Sequence, residues 1–494
     1  MSDDDEKTTQ QEHEPPRGAA TTGSWHDLDY TATAKWLVLR KKEKPSAEIF
    51  SISYVADSAD LDRPVTFVFN GGPGASSAFL HVGAVGPRRV EFPDDGTLPP
   101  MPPRLVQNDE SWLAFTDLVF VDPVGTGFSR IVDKDGDPKK EEGGKKGDEN
   151  DPKEYFGYKR DLESLGEFMS RWLSSNGRWG SPIFIAGESY GGYRVGRLVR
   201  LLQEDAGIGL NGAILISPAL EIGGLNPDDY AVVPWVDLLP TMAAAAAHHG
   251  RSRVFEAGTP VEEVQRAAEG FATSDYAQFL ARGASMPAEE RDRVLGRVAD
   301  FLGLPVEIVS RAEGRVQPRA FTRELLRDER KVLGAYDATI TTTDPFPDRD
   351  SFEGPDPTLS GISAAYTGAV NRLLRSEIGV ETDREYTLLS LEVNTDWKND
   401  APVHFFLPPQ GATDDFRYGM ALNPHLKAFV THGRFDLVTP YYASDRLRNL
   451  MRLDPAMAGR ITVRHFGGGH MFYAWAESRR AFTEAIAAFV ADAT

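Results

Sequence analysis

The sequence contains no cysteine in its 494 residues. Disulfides, thiolate metal sites and cysteine nucleophiles are therefore excluded. Positive charge is scarce as well: 54 Lys and Arg stand against 74 Asp and Glu, a net charge of −20. With no dense basic stripe to offset this, a nucleic-acid partner is not expected. No apolar run approaches the roughly 18 residues that a membrane span needs, so no membrane partner is expected either. Asn-x-Ser/Thr sequons are absent. The opening "MSDDDEKTTQQEHEPPRG" has neither the basic start nor the apolar centre of a secretory signal. The expectation is a cytoplasmic protein with a disordered acidic tail over residues 1–24.

What is present is enough apolar residue, 41%, for a sizeable core. The length points to one large domain with an insertion, or to two domains. "VTFVFN" (65–70), "DLVFVD" (117–122), "SPIFIAGES" (181–189), "GAILISPAL" (212–220), "LKAFVTHG" (426–433) and "ITVRHFGGG" (461–469) are short and apolar. Buried strands of a parallel sheet read this way. "IFSISYVAD" (49–57) alternates weakly. Between the strands lie helical patterns. In "YKRDLESLGEFMSRWL", Leu162, Leu165, Phe168, Met169 and Trp172 share one face. Strand alternating with helix predicts an α/β fold, with a mostly parallel central sheet flanked by helices.

Two segments break the rhythm. Residues 132–154 are almost all charged, Gly or Pro, which predicts a solvated loop. Residues 224–385 are helical in tone and lack strand runs, which predicts an inserted helical cap. The core is then expected in two parts, 25–223 and 386–494.

The strongest chemical signal is Gly187-Glu188-Ser189-Tyr190-Gly191, between the strand "PIFIA" and the helix "YRVGRLVRLL". A sharp strand-to-helix turn projects a serine hydroxyl above the sheet edge, and glycines permit the crowding. A serine needs a base, and in this architecture the acid and then the histidine follow it in the chain. "KAFVTHGRFDLVTPY" places Asp436 just beyond a strand, and "ITVRHFGGGHMFY" does the same for His470. His470 would take the proton of Ser189, and Asp436 would hold the imidazole. His432 and His465 sit in or near strands and read as packed residues. His248-His249 could form a metal pair, but adjacent side chains diverge. His81 follows the glycine loop closely enough to lie near the site.

That loop is "FNGGPGASS", residues 69–77, which leaves an early strand at the same edge. An oxyanion hole here needs the N–H after the nucleophile, that of Tyr190, and a second from an early strand-to-helix loop. Gly72 is the candidate for the second donor.

Together "NGGPGASS", "VDPVGTGFS", "GESYGG", "GRFDLVTP" and "GGGHM" resemble the serine carboxypeptidases, in the same order, with "NDESW" (108–112) matching a further element. The resemblance runs from about residue 30 to the C-terminus, outside the cap. It implies an α/β-hydrolase fold, a triad of Ser189, Asp436 and His470, and an oxyanion hole of Gly72 and Tyr190. It also implies that Asn70, Gly71 and Glu188 bind the free α-carboxylate of a peptide, and that no cofactor or metal is used. The signal, disulfides and glycans of secreted eukaryotic members are missing, so the chain looks closer to bacterial members. The Gly-Asp-x-Asp pattern reads Gly433-Arg434-Phe435-Asp436: the first acid is lost and the second kept.

Glu188 carries a separate physical point. A simple esterase has no evident need for an acid beside its nucleophile. Facing a substrate carboxylate, two acids can share a proton and bond strongly, whereas fully ionised they repel. Pairing of Glu188 with a nearby base is the plainer alternative. The expected function is release of C-terminal residues from peptides through an acyl-enzyme, favouring acidic pH. An esterase or acyltransferase on the same scaffold, and an inactive cap-mediated binding protein, remain as alternatives.

Overall fold

The computed structural model describes residues 13–58, 62–132, 153–225, 227–349, 352–400 and 411–494. Nearly all of the charged 132–154 stretch, and the first half of the expected tail, lie outside the described residues. Among these residues ten strands form one sheet: β1 (Ala19–Trp25), β2 (Leu28–Lys41), β3 (Lys44–Ala56), β4 (Val65–Phe69), β5 (Asp117–Asp122), β6 (Arg130–Ile131), β7 (Ile183–Glu188), β8 (Gly212–Ile216), β9 (Lys427–Thr431) and β10 (Ile461–Val463). The order is β1-β2-β3-β5-β4-β7-β8-β9-β10, with β6 beside β3. From β5 onward every pairing is parallel, whereas β1, β2 and β3 pair antiparallel with one another, as β3 does with β5 and β6.

The tail expectation fails for residues 19–24. They form most of β1, paired along its length with β2, and the Trp25 indole donates to Asn108 O at 2.7 Å. "AATTGSW" has no apolar alternation, so its pairing with β2 rather than its own pattern makes it a strand.

The parallel strands are buried on both faces, which is why they read as continuous apolar runs. On one face lie Val65, Phe67, Ile183, Ile185, Ala213 and Leu215, packed against helix α1 (Tyr158–Asn176) and helix α2 (Tyr190–Glu204). The α1 residues in this core are those of the predicted stripe, Leu162, Leu165, Phe168, Met169 and Trp172, joined by Leu173. On the other face lie Val68, Phe184, Ala186, Ile214 and Ile216. Each of these large side chains contributes about 1.5–3 kcal/mol when removed from water.

The insertion divides differently from the expected 224–385. Helices α3 (Val233–His248), α4 (Val261–Phe271) and α5 (Ala288–Leu302), with shorter helices up to Glu324, build an apolar core of their own. The segment then ends in a two-stranded hairpin, Lys331–Leu333 with Thr341–Thr343, which the sequence did not announce. Helix α6 (Pro357–Arg372) is not part of this unit. Its Ile362, Ala365, Tyr366, Ala369 and Val370 are buried in the core of the sheet face, with Tyr366 edge-on to Phe79 at 5.4 Å. The reason is that its apolar stripe faces the 78–85 helical stretch rather than the cap. The chain closes with α7 (Thr413–Leu422), α8 (Tyr441–Leu450) and α9 (Ala476–Ala493).

Candidate active site

Ser189 sits between β7 and α2 with φ 62° and ψ −123°. A non-glycine residue there carries strain of about 1–3 kcal/mol, which persists only when the surroundings enforce it. They do. Ser189 N–H donates to Ile216 O at 2.9 Å, and its carbonyl accepts from Gly192 at 2.9 Å and Ala219 at 3.0 Å. A Cβ at Gly187 would lie 2.1 Å from Gly191 O, and one at Gly191 would lie 2.5 Å from Phe69 O. The turn is that tight because strand and helix must reverse within one residue.

The glycine loop packs onto this elbow. A Cβ at Gly71 would lie 2.4 Å from Tyr190 N and 2.7 Å from Glu188 O. Gly72 follows with φ 100°. Tyr190 is the first residue of α2, so its N–H has no partner within the helix. Asn70 joins loop and elbow: its Oδ1 accepts from Leu80 N–H at 3.0 Å and its Nδ2 donates to Glu188 Oε2. Beneath it, Arg194 bonds Asn70 O and makes a two-pronged pair with Asp161, at 2.8 and 3.1 Å. Both partners are buried. Burial pushes the Asp161 carboxyl up, against the pull of Arg194.

At the ends of β9 and β10, His470 Nδ1 lies 2.6 Å from Asp436 Oδ2, and both side chains are buried. Asp436 Oδ1 accepts from Val438 and Thr439 N–H at 2.8 and 3.0 Å, and the Thr439 hydroxyl donates to Oδ2 at 2.7 Å. The carboxylate is thus fully used in holding one orientation of the ring. Ser217, directly after β8, ties this pair to the elbow: its hydroxyl donates to His470 O at 3.0 Å. Among the described residues the Ser189 hydroxyl makes no hydrogen bond; in free enzymes the bond between nucleophile and base often tightens only with substrate.

Electrostatics distinguish two groups here. Burial pushes Glu188, 2% exposed, up to about 7, against the opposing pull of His470. Burial drives His470 down, but the Asp436 charge and hydrogen bond outweigh it and leave the imidazole above its ordinary value. The charge of each also favours the charged form of the other: His470 draws Glu188 down, and Glu188 raises His470.

The other candidates have structural partners. His81 bonds the Tyr54 hydroxyl at 2.8 Å, stacks on Phe120 and is pushed down to about 3 by burial. His432 bonds Thr439 O and Ser444, and His465 bonds Asp445. His249 bonds Ala338 O at 2.7 Å, with the His248 ring at right angles to it. In "NDESW", Asn108 donates to Ala84 O and Gly86 O, and Ser111 to Val85 O, which clamps the far end of the 78–85 stretch. Residues that the sequence did not flag are Arg194, Asp161, Thr439 and a set of cap contacts. Arg434, where the family pattern has an acid, bonds Gln265 and pairs with Glu262 of α4 at 3.2 Å. Asp237 of α3 pairs doubly with Arg446 of α8 at 2.7 Å. The only signal for Arg434 was its departure from the pattern.

A strained serine between a parallel strand and a helix, with an Asp–His pair at neighbouring strand ends, defines an α/β-hydrolase architecture. The fold is similar to that of a prohormone-processing carboxypeptidase, Kex1, from Saccharomyces cerevisiae, with a TM-score of 0.54 at 15% identity, over 94% of this chain and 92% of that one. Residues 35–221 match the serine carboxypeptidase family model. Relatives include a serine carboxypeptidase of Dictyostelium discoideum, 28% identical over 38% of this chain and 42% of its own length. A pheromone-processing carboxypeptidase of Talaromyces marneffei is 32% identical over 30% of this chain and 19% of its own. A serine carboxypeptidase-like protein of Arabidopsis thaliana is 26% identical over 36% and 34%. The matched stretch thus spans less than half the length of each of these curated relatives. They are eukaryotic, so the closeness to bacterial members expected from the missing signal, disulfides and glycans is not supported by these relatives. Over residues 35–221 the chain is thus similar to the serine carboxypeptidases.

Proposed function

We propose that the protein is a serine-type carboxypeptidase that releases C-terminal residues from peptides. The observation that carries this reading is Glu188: a buried carboxyl beside Ser189, raised to about 7 and bonded to Asn70. A buried acid kept protonated near neutrality can donate to a substrate carboxylate, which an ionised one would repel.

In the proposed reaction Ser189 Oγ attacks the carbonyl carbon of the last peptide bond while His470 Nε2 takes its proton. Asp436 holds the ring through Nδ1 and stabilises the imidazolium. The tetrahedral oxygen is received by the N–H groups of Gly72 and Tyr190. Collapse breaks the C–N bond, His470 gives its proton to the leaving amine, and a free amino acid departs. Water, activated by the same imidazole, then cleaves the acyl-enzyme ester and regenerates Ser189. Asn70, Gly71 and Glu188 hold the terminal carboxylate, and so restrict attack to the last bond. Because Glu188 must be protonated to meet the carboxylate, substrate binding should favour pH below about 7, with the need for a neutral His470 setting the acid limit.

The test is a blocked dipeptide with a free C-terminus beside its C-terminal amide and its alkyl ester. Clear preference for the free acid is expected. Equal turnover of ester and free acid, or hydrolysis of the ester alone, would overturn the reading in favour of an esterase.

A further inference from the structure

The insertion does more than stand over the site. Its segment 335–338 runs between the loop carrying Asp436 and the loop carrying His470 and bonds to both. On the acid side, Leu437 N–H donates to Ala335 O and Ala338 N–H donates to Phe435 O, each at 3.0 Å. These two bonds bracket Asp436 in the chain. On the base side, His470 N–H donates to Tyr336 O at 2.5 Å, and Gly469 N–H donates to Asp337 Oδ2 at 2.8 Å. Asp337 is itself held, its Oδ1 accepting from Thr339 N–H at 3.0 Å and from the Thr339 hydroxyl at 2.6 Å. The Tyr336 ring meets the His470 ring edge-on, with centroids 5.3 Å apart. The fit leaves no slack: a Cβ on Gly469 would lie 2.1 Å from Tyr336 O and 2.4 Å from Asp337 Cα.

Asp337 is buried, and among the described residues it makes no ion pair. A buried carboxylate without a counter-charge is costly, and burial pushes this one up to about 6. For packing alone, a neutral or apolar residue would serve as well. A carboxylate has one advantage here: its two oxygens bond two different loops at once, Thr339 of its own segment and Gly469 of the histidine loop.

We infer that 335–338 is a strap from the cap that sets the His470 loop against Asp436, with Asp337 as its positioning residue. The inference rests on Ser189, Asp436 and His470 acting as a triad. It makes the cap part of what aligns the base as well as a cover over the site. Misplacing a base by about 1 Å, at some distance from the reacting atoms, can cost about a hundredfold in rate.

Two readouts test it without depending on the substrate. One is the rate at which Ser189 is labelled by a fluorophosphonate, which needs an aligned base but no carboxylate contact. The other is the downfield proton resonance of the His470 Nδ1–H bonded to Asp436. For Asp337→Ala, labelling should slow about ten- to hundredfold and the resonance should shift or broaden. Peptide kcat should fall in parallel, with KM changed less than about twofold. Val298→Ala, a cavity in the cap core remote from the strap, is the control for lost stability, and it should leave both readouts unchanged. Wild-type labelling and an unmoved resonance in Asp337→Ala would overturn the inference, as would equal losses in Val298→Ala. Should Asp337→Ala fail to fold, Thr339→Val loosens the same carboxylate and should slow labelling about two- to fivefold; an unchanged rate there overturns the strap. A wild-type protein that resists labelling would instead count against the triad, while the resonance would still report on the strap.

Discussion

The two halves of the catalytic edge are held in different ways. The Gly71–Tyr190 half is built from segments that directly follow central strands, and it is fixed by backbone meeting backbone where no Cβ fits. The Asp436–His470 half is also tight at Gly433 and Gly469, but it is built from longer loops and takes several of its hydrogen bonds from the cap: Ala335, Tyr336, Asp337 and Gln265. The first kind of support is local to the strand ends. The second depends in addition on a distant insertion. Damage to the first half should therefore be abrupt, and damage to the second graded.

The largest effect expected is for Ser189→Ala. Turnover should fall by on the order of 10⁴–10⁶ with folding intact, because alanine also relieves no packing and removes only the nucleophile. Steady-state peptide hydrolysis with a parallel thermal melt checks this; near-normal turnover would remove Ser189 from the mechanism.

Gly71→Ala sharpens the contrast between the halves. Its methyl group must displace Tyr190 N or Glu188 O, which moves both the proposed oxyanion donors and the proposed carboxylate site. A loss on the order of 10²–10³ in kcat/KM is expected. It should exceed the loss in Asp337→Ala, which removes hydrogen bonds and forces no new atoms into the loops. The reverse ranking, measured on one free-acid peptide, would invert the comparison.

The smallest effect concerns pH. Glu188 is raised to about 7 by burial, so it is protonated below that value and charged above it. Binding of free-acid peptides should therefore weaken as pH rises through about 7. The amide analogue has no carboxylate to repel, so its alkaline limb should lie higher. At the acid end, His470 must lose its proton before it can act, and Asp436 delays that loss. Glu188→Gln keeps a donor without a charge and should flatten the alkaline limb for free acids, with about a tenfold loss or less in the acid range. KM against pH for acid and amide, in wild type and Glu188→Gln, decides it; identical profiles for the two substrates in wild type would contradict the carboxylate role.

The legibility of the chain follows the same division. Ser189, Glu188 and Tyr190 could be proposed from the sequence because the serine, its strand and its helix are contiguous. Asn70 and Gly72 could be proposed because their loop also leaves a strand directly. The apolar runs of β4, β5, β7, β8 and β9 gave the parallel sheet, since burial on both faces leaves no polar alternation. Residues 19–24 were misread because a polar edge strand is defined by its partner. Helix α6 was assigned to the cap because a helical stripe says which face is buried and not which core buries it.

The sequence by itself determined the α/β class, the place of the elbow and the order in which serine, acid and histidine appear, since each rests on residues adjacent in the chain. Only the tertiary structure decided that Arg194 reaches Asn70 across 124 residues. It also decided that burial rather than a neighbouring base sets the protonation of Glu188, and that Asp337, 132 residues before Gly469 in the chain, grips the histidine loop. Hydrogen bonds and desolvation depend on distance in space, and no local pattern of residue types records which distant atoms will meet.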